Sequence, residues 1–147
     1  MFKEPNSNLS IKLQIKSAKV LPKELLKGLN IVFLVHFVLG LILGIILLFI
    51  PKVYCDLVGA VMTDHGVLRL IGAASLALGG SSFLAYRSKD WEKAKLIVLT
   101  DIIWLISAIV GLTWWLVEGG PIVAWWIFGM FVLFLVAFVY FYILQEK

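Results

Sequence analysis

The sequence predicts an all-α fold, a four-transmembrane-helix bundle with a basic N-terminal cytoplasmic segment, and three observations predict it. Four apolar runs, Leu29 to Ile50, Val67 to Tyr86, Leu96 to Val117 and Ile122 to Leu144, fill most of the 147 residues. At about 1.5 Å rise per residue, roughly 20 residues cross a hydrocarbon core of about 30 Å, and each run reaches that length. Hydrophobic residues make up 62% of the chain and the mean hydropathy is +1.02, whereas a soluble domain is apolar over only about half its residues. Finally, eleven of the thirteen Lys and Arg residues fall on one side if the helices alternate in direction. They are Lys3, Lys12, Lys16, Lys19, Lys23, Lys27, Arg87, Lys89, Lys93, Lys95 and Lys147, with only Lys52 and Arg69 on the other side. The positive-inside rule then places both termini in the cytoplasm, and the net charge of +4 reads as membrane threading and not as nucleic-acid binding.

Residues 1–21 form a basic tail, and residues 22–147 form one transmembrane domain, because the connections leave no room for a second core. In the tail Leu9, Ile11, Leu13 and Ile15 alternate with Ser10, Lys12, Gln14 and Lys16, the period of a strand. Such a segment adds to another chain's sheet, lies on anionic headgroups, or stays an unstructured basic tail. Pro22 suits a first helical turn, and Lys23 to Lys27 reads as an interfacial lead into the first span. That span exceeds a signal-peptide apolar region and lacks a small-residue cleavage site, so it is expected to remain. Pro51 ends it.

The outer loop, Lys52 to Gly66, carries Tyr54, Asp56, Asp64 and His65, with a Cys55 to Met62 stretch apolar enough to lie on the membrane surface. Cys55 is the only cysteine, which excludes an internal disulfide and a CxxC pair. The inner loop, Arg87 to Lys95, is charged around Trp91, expected as an interfacial anchor. Glu118-Gly119-Gly120-Pro121 is a tight turn, which makes the third and fourth helices antiparallel neighbours. Trp114, Trp115, Trp125 and Trp126 flank it as an aromatic belt.

Without a hydrophobic drive against lipid, membrane helices associate through close packing of small residues. Gly72, Ser75, Gly79 and Ser82 share one face of the second helix, and Gly40 and Gly44 form a GxxxG pair in the first, read as an intramolecular contact ahead of a dimer interface. Phe131, Phe134, Phe138 and Phe141 have the spacing of the second helix's small stripe, and are expected to fill the groove it leaves.

An ionisable group in hydrocarbon costs about 3 kcal/mol on insertion scales, so each one is a functional candidate. His36 and Asp101 lie at similar depth in two helices that run the same way. Ser81, Ser82 and Tyr140 fall in the same layer. Together they would hold or pass a proton, bind a polar headgroup, or fix helix register. Arg69 with Glu118 or Asp64 reads as an ion pair at the outer edge. No metal site is expected, because the DHG at 64–66 is too short. No cofactor is predicted either, since His36 is the only span histidine and a bis-His haem would need two chains. No GxSxG, HExxH or glycine-rich phosphate loop is present, so catalytic residues are none.

Pro51 closing the first span, the run Leu68-Arg69-Leu70-Ile71-Gly72-Ala73-Ala74-Ser75-Leu76-Ala77-Leu78-Gly79, the basic turn after Tyr86 and Asp101 entering the third span resemble the small four-helix membrane proteins grouped as DoxX-like. The resemblance covers roughly residues 23–112 and leaves out the tail and the aromatic fourth helix. It implies a four-helix bundle and, by analogy with some of those proteins, a small subunit of a membrane redox complex; no ligand or catalytic motif comes with it. The residues themselves favour a non-enzymatic accessory component that binds other membrane proteins, itself as a homo-oligomer, or lipid. The alternatives are a small oligomeric transporter with an Asp101/His36 proton-coupling pair, and the redox subunit.

Overall fold

The computed structural model describes residues 23–60 and 65–147; the tail and Asp64 lie outside them. Among the described residues five helices follow one another: α1 (Lys27–Phe49), α2 (Pro51–Val58), α3 (His65–Ser88), α4 (Trp91–Val117) and α5 (Val123–Glu146). All but α2 are long and apolar enough to cross a membrane, and the chain is a multi-pass integral membrane protein with an all-α bundle fold. Large apolar side chains such as Leu70, Val117 and Trp126 face outward, as lipid contact requires.

The helices run past the apolar runs because an apolar run marks the hydrocarbon, not the end of the hydrogen-bond ladder. The charged stretch after Tyr86 is accordingly no loop: α3 continues to Ser88 and α4 begins at Trp91. Lys89 turns the chain with φ 50°, and the Asp90 carboxylate caps α4 by accepting from the Glu92 backbone N–H at 3.2 Å, one of the donors a helix start leaves open. At the opposite end Pro51 opens α2 at its first turn, where its missing N–H costs nothing. Cys55 of α2 is buried between Leu47 and Leu68.

The closest helix pair is α1 with α3. A Cβ added at Gly72 would lie 2.7 Å from the Leu48 backbone nitrogen and 2.9 Å from the Gly44 carbonyl oxygen, and one at Gly40 would lie 3.1 Å from the Gly79 Cα. Glycine is therefore required where the two backbones cross. This corrects the expected role of the phenylalanine stripe. The α3 groove is filled by α1 itself, and the α5 rings turn to the other flank of α1. Phe138 packs on Phe33 with centroids 5.6 Å apart, Phe134 on His36 at 5.0 Å, and Phe141 against Gly28.

The N-terminal lead, the α3–α4 turn and the end of α5 meet at one end, called here the basic end. Leu25 N–H donates to the Lys89 carbonyl (3.2 Å) and Trp91 N–H to the Lys23 carbonyl (2.9 Å), an antiparallel bridge centred on Glu24 and Asp90. Gln145 closes it from α5: its Oε1 accepts from Leu26 N–H at 2.9 Å, its Nε2 donates to the Glu24 carbonyl at 2.7 Å, and its backbone carbonyl takes the Lys23 ammonium. Trp91 belongs to this clasp and is 1% exposed, so it is a core residue and not an interfacial anchor. Its indole Nε1 donates to Glu146 at 2.9 Å, and Glu146 also pairs with Lys95 at 2.7 Å.

Candidate functional site

Three helices bring three polar side chains to one point in the membrane layer. His36 comes from the middle of α1, Ser82 from α3 and Asp101 from α4. Ser82 stands between the other two, with its Oγ 2.8 Å from His36 Nδ1 and donating to Asp101 Oδ2 at 3.2 Å. His36 Nδ1 and Asp101 Oδ2 are 3.7 Å apart, beyond hydrogen-bond reach, so the serine carries the connection. Ser82 stands three residues past Gly79 on the small α3 face, where α1 approaches closely. Asp101 is 0% exposed, and its second oxygen, Oδ1, is buried with no hydrogen-bond partner among the described residues.

The structure does not bring Ser81 or Tyr140 into this cluster. Ser81 Oγ donates to the Leu78 carbonyl of its own helix at 2.7 Å, and Tyr140 is 56% exposed, its ring edge against Phe141. Nor do Arg69 and Glu118 pair among the described residues; Glu118 accepts from the Trp114 indole at 2.6 Å instead. Gly40, Gly44, Gly72 and Gly79 are backbone-crossing residues, Ser75 donates to the Ile71 carbonyl at 2.9 Å, and Ser82 belongs to the polar cluster. Among the described residues no group of three His, Cys, Asp or Glu side chains is placed to hold a metal ion.

Two cavities share a wall, and one of them reaches the cluster. The larger, of about 480 Å³, lies toward the α2 end and is walled by Leu47, Tyr54, Leu68, Ala108, Gly111 and Trp115 among others. The smaller, of about 40 Å³, reaches His36 and Phe134. Leu43, Ser75, Trp104 and Phe131 wall both, so the small one is a neck between the apolar chamber and the histidine. His36 Nε2 has no hydrogen-bond partner among the described residues. Burial, and secondarily the neighbouring Cys55, push the Tyr54 phenol up, which keeps it a neutral hydroxyl on the chamber wall.

Sequence reasoning missed the chamber and Gln145. A chamber is the gap between helices and has no residue signature. Gln145 did have one, standing seven residues after Phe138 and so on the same face of α5. No family model matches the chain, and no curated protein or solved structure matches it either.

Proposed function

We propose that this protein is a non-enzymatic membrane component that takes up a lipophilic molecule between its spans, with both termini in the cytoplasm. The observation that carries the reading is the chamber of about 480 Å³, apolar on its walls and ending at a polar side chain. Pockets of about 300–1,000 Å³ with few polar groups are the usual form of small-ligand sites. Binding through the glycine faces is less supported, because those glycines are used inside the chain, where α1 crosses α3. Lipid is thus the partner the free surfaces favour.

Gly111 supplies the test. It lines the chamber, and a Cβ there meets nothing within 4 Å, so Gly111→Phe introduces bulk at the chamber wall from a position whose first side-chain atom is unobstructed. Native mass spectrometry of gently extracted protein should show a co-purifying lipophilic molecule on the wild type and its loss from Gly111→Phe. Equal retention by the two proteins would reject the chamber as the binding site.

A further inference from the structure

We infer that the molecule held in the chamber is a lipophilic alcohol, one hydroxyl on an apolar body, whose O–H donates to His36 Nε2 through the neck. This rests on the chamber being a lipid site. The argument is one of donors and acceptors. Ser82 has a single hydroxyl proton and gives it to Asp101 Oδ2, so toward His36 the serine oxygen is an acceptor and the 2.8 Å contact requires a hydrogen on Nδ1. In a neutral imidazole the hydrogen bond at one nitrogen fixes the state of the other. Nε2 is then a bare acceptor, and among the described residues nothing donates to it.

A ligand head must therefore bring a hydrogen. The neck, of about 40 Å³ against about 480 Å³ for the chamber, favours a small head such as a hydroxyl over a phosphate or a ring. An anionic carboxylate carries no hydrogen to give. An ammonium would have to shed its hydration inside hydrocarbon at a cost of several kcal/mol. A ketone or quinone oxygen is an acceptor facing an acceptor. Of these head groups the hydroxyl meets each condition.

Trp104 and Trp115 on the chamber wall report occupancy, since bromine quenches an indole on contact. The purified full chain in maltoside micelles is titrated with a chain-dibrominated dodecanol and with the matching dibrominated dodecanone. Quenching that Gly111→Phe abolishes is the chamber's own. One neutral hydrogen bond corresponds to a preference for the alcohol of roughly three- to tenfold, and His36→Phe, which keeps the ring packing on Phe134 and Phe138, should remove that preference while leaving chamber quenching. Equal binding of the two probes, tighter binding of the ketone, or a preference that survives His36→Phe overturns the head-group assignment and leaves the chamber standing. Absence of any quenching sensitive to Gly111→Phe overturns both. The alcohol-against-ketone comparison uses wild-type protein and decides the matter even where a His36 variant does not fold.

Discussion

At the scale of single residues, two adjacent serines have opposite roles. Ser82 is fully buried and links a histidine to a carboxylate, while Ser81 bonds back to its own helix. Ser82→Ala would leave two buried polar groups without a partner, and such a loss costs about 1–3 kcal/mol; Ser81→Ala should be near neutral. Thermal unfolding in detergent checks the pair: a clear drop in midpoint is expected for Ser82→Ala only, and equal drops would contradict the linking role. His36 and Asp101 were legible in the sequence because ionisable groups stand out in hydrocarbon, and counting from the span ends gave their depth. Rotation about the helix axis was not legible. Successive residues turn by about 100°, so depth could not choose between Ser81 and Ser82. Tyr140 lies two positions past Phe138, about 200° around, and faces outward for that reason.

Among the elements, the positions of the spans could be read from apolar length, but their neighbours could not, because small and large stripes fit several partners. The α3 groove accepts either the α5 rings or the α1 backbone. It takes α1 because glycines on both helices allow main chain to touch main chain, a closer fit than ring against backbone. The cost of spoiling that crossing is testable. A Cβ at Gly72 would meet backbone atoms at 2.7 and 2.9 Å, while one at Gly129 meets nothing within 4 Å. Gly72→Ala should destabilise by about 1–3 kcal/mol, the usual range for overpacking, and Gly129→Ala should not. Denaturant titration of the two variants in the same micelles measures the difference, and similar midpoints would argue against the crossing as a stability determinant.

For the whole molecule, the sequence carried the threading through the placement of charge, and the structure gathers the described basic residues of that set, from Lys23 to Lys147, around one end. Which compartment that end faces is a matter for labelling. With Cys55→Ser as background, an impermeant thiol reagent applied to sealed cells should modify Glu118→Cys and leave Ser88→Cys unmodified; the opposite pattern would invert the proposed orientation.

The clasp of Glu24, Leu26, Asp90 and Gln145 also orders events in time. Its acceptors and donors come from the lead into the first span, the turn between the second and third, and the close of the fourth. Translation delivers Gln145 after the other three, so the Leu26 N–H and the Glu24 carbonyl wait for their partners until all four spans have left the ribosome, whereas Lys23 and Leu25 meet Trp91 and Lys89 earlier. The α1–α3 crossing and the α3–α4 turn can form earlier, as their residues emerge. Sealing of the basic end therefore follows the other contacts within the bundle, and a nascent chain halted before the fourth span would present the Glu24 carbonyl and the Leu26 N–H unmatched at the membrane surface, open to whatever machinery recognises incomplete bundles.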